Sequence, residues 1–201
     1  MKEKQILANY LPEKTVEQVY KWIIDYRIHF KITKSRRTKL GDYRPPVRQA
    51  NHRITINHDL NKYAFLITFV HELAHLKVYE KFKSTVPPHG PEWKNEYRNL
   101  MTGFLDNGIF PDDLKEVLSS SIINSKASST SDIQLSRVLK KYNDHPAELH
   151  LEDLESGAVF VAGNGRQFQK GEKVRTRFKC MNLQNKHTYL FHPLTPVSLT
   201  D

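Results

Sequence analysis

Cysteine occurs once in the 201 residues, at Cys180. A single thiol forms no internal disulfide and excludes zinc sites built on cysteine pairs, so a metal here would have to be held by histidines and carboxylates. Acidic residues are also scarce: 22 Asp and Glu face 31 Lys and Arg, a formal charge of +9. No apolar run reaches the ~18 residues of a membrane span. The opening MKEKQILANYLPEKTVEQ lacks the apolar stretch of a secretory signal. A cytoplasmic monomer with no membrane partner is the expectation. A hydrophobic content of 38% with 26% charged residues belongs to a globular chain rather than a disordered one.

The excess charge is not spread evenly. Between Lys31 and Arg53 stand Lys31, Lys34, Arg36, Arg37, Lys39, Arg44, Arg48 and Arg53 against Asp42 alone. Between Arg166 and Lys186 seven basic residues face Glu172. Two cationic blocks of this kind attract polyanions, of which nucleic acid is the commonest, and nucleoid association follows from the same charge.

Periodicity divides the chain. Residues 14–29 place Val16, Val19, Tyr20, Ile23 and Ile24 on one helical face. FKITKSRRTKLGDYRPP reads as two strands joined by a Gly41-Asp42 turn, and HRITINHD as a third. Residues 60–82 carry no Gly or Pro and are apolar almost all round, the mark of a buried central helix. VPPHGP breaks it, and Pro91 suits the first turn of the next helix. A serine-rich stretch at 119–131 reads as a linker, followed by a short helix at 132–143. Beyond 147 the pattern is of short strands split by glycine and asparagine turns.

Inside the central helix lies His71-Glu72-Leu73-Ala74-His75. Residues i and i+4 share a helix face, so two imidazoles so spaced can hold one tetrahedral zinc at about 2.0–2.1 Å. Glu72, one residue along, reaches a metal-bound water rather than the metal. Zinc lowers that water's pKa toward about 7, and the glutamate accepts its proton. The apolar flanks make an idle buried Glu72 costly. A third ligand is needed. The metzincin spacing fails, because Val78 and Lys81 stand where glycine and histidine belong. Glu92 and Glu96 are available from the next helix, and His89 from the rigid Pro88-His89-Gly90-Pro91 turn. His89 is preferred.

The order of strand pair, HRITINHDL, the TFVHELAHL helix and then HGPEW followed by a helix resembles the SprT-like metalloprotease family, which includes the Spartan proteases. The match covers roughly residues 15 to 105. The resemblance implies one catalytic Zn2+ held by His71, His75 and His89, with Glu72 as catalytic base. It further implies a zinc metalloendopeptidase of the HExxH type that cleaves proteins bound or crosslinked to DNA, with DNA, single-stranded or protein-linked, as a further partner. Many bacterial members end in a zinc ribbon with cysteine pairs, which this chain departs from by holding Cys180 alone.

The expected class is α+β: a zincin-like domain over 1–118 with a central HExxH helix and a small antiparallel sheet, a linker with a short helix over 119–146, and a small β-rich, zinc-ribbon-like but cysteine-poor domain over 147–201. In KVRTRFKC, alternation sets Arg175, Arg177 and Lys179 on one strand face, about 6.6 Å apart. With Arg36 and Arg37 these are the expected nucleic-acid contacts. HRITINH is expected at the edge of the cleft, where a peptide adds as a further strand. The alternative is a non-catalytic basic protein, nucleic-acid-binding or regulatory, with a structural or vestigial zinc site.

Overall fold

The computed structural model describes residues 2–36, 38–47, 51–123, 132–143 and 149–199. They divide into two units, Met1–Asp144 and His145–Asp201. The class is α+β, with six α-helices and two sheets among the described residues. No helix among them is long and apolar enough to cross a membrane.

The first unit opens with α1 (Lys2–Tyr10), which is not among the expected helices, and a short 3-10 turn (Glu13–Thr15). The next helix, α2 (Val16–Asp25), stops before the expected end at 29. Arg27 takes a left-handed φ of 48°, and the Ile28 N–H bonds back to the Ile23 carbonyl at 2.8 Å, the closing bond of a Schellman stop. His29 therefore opens a strand, β1 (His29–Thr33), instead of ending the helix.

With β2 (Gly41–Arg44) and β3 (Arg53–Asn57) it forms a sheet of order β1-β3-β2. β1 is parallel to β3, and β2 is antiparallel to it. The sheet is thus mixed, where an antiparallel one is expected. The loop between β1 and β2 decides this. Asn57 Nδ2 donates to the carbonyls of Arg36 (3.3 Å) and Lys39 (3.0 Å), and Arg36 Nε donates back to Asn57 Oδ1 at 2.8 Å. These bonds hold the loop across the end of β3, so β2 lies at the far edge and the chain returns between the two outer strands. HRITINH is consequently the central strand, not the cleft edge. Gly41-Asp42, expected as a turn, begins β2.

Ile54 and Ile56 turn their fully buried side chains inward, and β2 and β3 both pack on α3 (Lys62–Phe82). Asn61 caps α3, its side-chain oxygen accepting from the Tyr63 and Ala64 N–H groups. The helix is buried on nearly every side, as its composition predicts. It stops at Lys83, whose φ is 53°. Then follow α4 (Pro91–Asp106), with Pro91 in the first turn, and α5 (Asp112–Ile123). α5 was not expected, yet Leu114, Leu118 and Ile122 form its buried stripe at helical spacing. α6 (Ile133–Lys140) buries Leu135 and Leu139 in the same core, and Asn61 Nδ2 donates to the Leu139 carbonyl at 2.8 Å. The first unit therefore continues past 118, because Ile122 at the end of α5 and the apolar face of α6, both within the expected linker, complete its core. Residues 124–131 and 144–148 lie outside the described residues.

Glu96 fastens α4 to α3. Its carboxylate is buried and paired with Lys77 at 2.5 Å and Lys81 at 2.8 Å. Burial alone raises its pKa, but the two lysine hydrogen bonds outweigh it and hold the group below the ordinary carboxylate value. The folded form thus binds the Glu96 proton less readily than the unfolded chain. Its contribution to stability is complete above the unfolded pKa and is lost as pH falls through the lower folded value. Unfolding by urea between about pH 6 and pH 3 is expected to show a flatter stability profile for Glu96→Gln than for the wild type. Identical profiles would refute that role.

The second unit begins with a 3-10 turn (Leu151–Asp153) and continues as β4 (Val159–Ala162), β5 (Gln167–Val174), β6 (Arg177–Asn182), β7 (Thr188–Phe191) and β8 (Val197–Leu199). These form one antiparallel sheet in the order β7-β6-β5-β4-β8. Where a ribbon-like fold is expected, a five-stranded sheet stands on a core of Leu151, Phe160, Phe168 and Cys180. KVRTRFKC is not one strand. Val174 pairs with Arg177 across a tight turn in which Arg175 has a φ of 54°.

Candidate metal centre

One helix and one turn build the site. His71, Glu72 and His75 project from α3, and His89 comes from the turn that precedes α4. In that turn the Gly90 N–H bonds to the Pro87 carbonyl at 3.1 Å, and His89 has a φ of 59°. Proline second and a positive φ third are the features of a type II turn, a position that glycine or asparagine usually fills. A histidine is held there against local preference, with its ring aimed at α3.

The three Nε2 atoms form a closed triangle: 3.3 Å from His75 to His71, 3.0 Å from His75 to His89 and 3.1 Å from His89 to His71. Each ring nitrogen has one in-plane direction for its proton or lone pair. It can aim at one neighbour or at the centre, but not at both neighbours. Three nitrogens bound to one tetrahedral zinc at about 2.0–2.1 Å would lie about 3.3–3.4 Å apart. The donor set and the spacing therefore fit a zinc ion. Burial, reinforced by the neighbouring imidazoles, lowers His71 to about 3 and His75 to about 4, and burial lowers His89 as well. All three are neutral near pH 7, the form that binds metal. Among the described residues these three make up the single group fit to hold an ion. Glu96 is turned away to its lysines, and Glu92 does not join.

Trp93 is the floor. Its ring centroid lies 4.6 Å from His71, 5.4 Å from His75 and 4.7 Å from His89, and it is 2% exposed. Tyr97 stacks beneath it at 5.0 Å, with planes 10° apart.

Glu72 is 7% exposed and faces β2. The Tyr43 N–H donates to its carboxylate. Burial, with the Asp42 charge nearby, pushes the carboxyl up to about 8 against that hydrogen bond and the cations Arg36 and Lys39. Gly41 provides the space: a Cβ there would stand 2.6 Å from Glu72 Oε1. The Asn57 N–H bonds to the Leu40 carbonyl, so by antiparallel alternation Gly41 and Tyr43 are the β2 residues whose main-chain groups turn away from β3. β2, not β3, is therefore the open edge beside the site. Glycine at 41 and tyrosine at 43 escape a sequence reading because GDYRPP resembles a turn. Only the register brings them to Glu72.

The expected nucleic-acid contacts fare differently. Arg36 is spent internally: besides Asn57 it donates to Thr55 Oγ1 at 3.0 Å and to the carbonyls of Leu40 and Thr55. Arg37 lies outside the described residues. Arg175 sits in the hairpin turn, which breaks the expected row of three. Arg177 and Lys179 remain exposed on β6, the latter paired with Glu172 at 2.9 Å.

The model of the SprT-like family matches residues 13–111. Neither the comparison with curated proteins nor that with solved structures finds a match.

Proposed function

The chain belongs to the SprT-like family through residues 13–111, and from that premise we propose that it is a zinc-dependent endopeptidase with a zincin-like arrangement of helix, edge strand and turn. Family membership supports a metallopeptidase-like function in general. The finer reading is carried by one observation: three imidazole Nε2 atoms converge within 3.3 Å beside a buried carboxylate held by a main-chain N–H.

His71, His75 and His89 hold the zinc in this reading. When bound, it supplies Lewis acidity toward a peptide carbonyl and makes a water acidic enough to give up its proton near neutral pH. Glu72 takes that proton. Burial pushes this carboxyl up to about 8, and a bound dication would lower it again and favour the carboxylate, the form that accepts a proton. The Tyr43 N–H keeps one carboxylate oxygen oriented. The substrate main chain extends the open edge of β2, where the Gly41 main chain and the Tyr43 carbonyl face outward, the Tyr43 N–H being taken by Glu72.

Proteins bound or crosslinked to DNA are the substrates in this proposal, and a cytoplasmic, nucleoid-associated enzyme fits them. The charge supports it. On the face of the first sheet away from α3, His29, Arg53 and Arg44 stand in one cross-strand row. Arg44 and Arg53 are directly opposite, and Asp42 offsets part of that charge through its 3.0 Å contact with Arg44, leaving the row net cationic.

The test is cleavage of a DNA-binding protein by zinc-loaded wild type, by chelated and zinc-restored protein, and by Glu72→Gln, each with and without single-stranded DNA. Glu72→Gln is expected to lower kcat about 10²–10⁴-fold with zinc retained. Full activity in that variant would end the proposal. Cleavage indifferent to DNA would keep the peptidase and remove the DNA-linked substrate. Zinc and DNA binding with no cleavage of any substrate would favour the non-catalytic alternative.

A further inference from the structure

Tyr43 touches the site in two ways. Its N–H donates to Glu72, and its ring lies parallel to the His75 imidazole, with centroids 6.5 Å apart and planes 5° apart. Its hydroxyl lies 3.0 Å from His52 Nδ1. On the other side of that ring, His52 Nε2 lies 3.2 Å from Glu80 Oε1. The chain Glu80–His52–Tyr43 thus runs from the solvent side of α3 back to a ligand on the same helix.

The proton positions follow from the partners. A carboxylate only accepts, so Glu80 fixes the proton of neutral His52 on Nε2. Nδ1 is then a lone pair, and the Tyr43 hydroxyl must donate to it. Tyr79 stands edge-on to His52 at 6.1 Å and limits its rotation. Lys83, 3.6 Å from Glu80, steadies the exposed end.

A ligand imidazole is usually oriented through its second nitrogen. Among the described residues the hydrogen-bonding contacts of the His75 ring are at Nε2 alone. Its plane is therefore set by packing between Tyr43 and Trp93. We infer that Tyr43, His52 and Glu80 form a positioning relay that orients the ligand His75 and the Glu72 carboxylate together. The inference rests on the zinc reading above. The relay would couple the edge strand to the metal site, so that one displacement disturbs both.

Zinc competition against a chromophoric chelator, and the visible spectrum of the cobalt(II)-loaded protein, test this without reference to turnover. Tyr43→Phe keeps the ring and the N–H but loses the hydroxyl. Glu80→Ala removes the far anchor from an exposed position, and Glu80→Gln keeps an acceptor for Nε2–H. Tyr43→Phe and Glu80→Ala are each expected to weaken zinc about tenfold or more and to shift the cobalt bands. Glu80→Gln is expected to retain wild-type values. The double variant should be no weaker than the worse single, since residues acting in one chain do not add. Unchanged affinity and spectrum in Tyr43→Phe, or additive losses in the double variant, would overturn the relay while leaving the zinc site standing. A wild type that binds neither metal would overturn both readings.

Discussion

Gly41→Ala is expected to lower kcat about 10²-fold or more, with zinc content unchanged. The added methyl would lie 2.6 Å from Glu72 Oε1, 2.7 Å from Thr68 Cγ2 and 2.9 Å from Glu72 Cγ. None of these can yield easily. Thr68 is buried one turn before Glu72 on the same helix, with its hydroxyl bonded to the Ala64 carbonyl at 2.7 Å. Either the carboxylate rotates away from the water position or β2 lifts off α3. A displacement of about 1 Å at a reacting group costs on the order of 10²-fold. The three histidines are not touched by the clash, so the metal should stay. Gly103 in α4 is the control, because a Cβ there meets nothing within 4 Å. Alanine at Gly103 is expected to leave kcat and KM alone. Kinetics with zinc analysis on both variants decide the matter, and wild-type turnover in Gly41→Ala would show that Glu72 is not confined by β2.

Trp93→Ala is expected to cost about 3–5 kcal/mol of stability and to empty the metal site. The indole is the one side chain in ring contact with all three imidazoles, and Tyr97 stacks on its other side. Removing it leaves a cavity under the ligands, into which any of the three rings can turn. Trp93→Phe separates packing from polarity. Trp93 Nε1 is buried with no hydrogen-bond partner, so phenylalanine breaks no hydrogen bond. It should cost only about 1–2 kcal/mol, of the order of a modest core truncation, and keep zinc. Urea unfolding with zinc analysis measures both. Equal losses in the two variants would mean that the full indole, and not an aromatic ring alone, is needed beneath the three imidazoles.

The residues of the histidine cluster and those that confine Glu72 differ in how visible they are in the chain. His71, Glu72 and His75 are readable because helical spacing is local: i and i+4 meet whatever the rest of the fold does. His89 is readable for a related reason, since two prolines and a glycine mark a turn at a reachable distance. The buried helix 62–82 and the helix beginning at Pro91 also follow from composition and a proline start. So does the solitary Cys180, which alternation places on the inner face of β6.

Strand order could not be read this way. HRITINH and GDYR each alternate, and either can serve as edge or centre. The choice falls to Asn57 and Arg36, which pin the loop between β1 and β2, a contact between residues twenty-one apart. That single decision made β2 the edge, brought Gly41 and Tyr43 to Glu72, and withdrew Arg36 from any surface role. The expected row of Arg175, Arg177 and Lys179 failed similarly, because a two-residue turn interrupts an alternation that continues through it in the sequence. α5 and α6 joined the first core because their apolar stripes had somewhere to pack, which composition alone does not state. By itself, then, the sequence determined the histidine cluster and the carboxylate beside it, whose geometry is set within one helix and one turn. Tertiary structure alone decided what surrounds that base, because strand register and loop anchoring depend on residues far apart in the chain meeting in space.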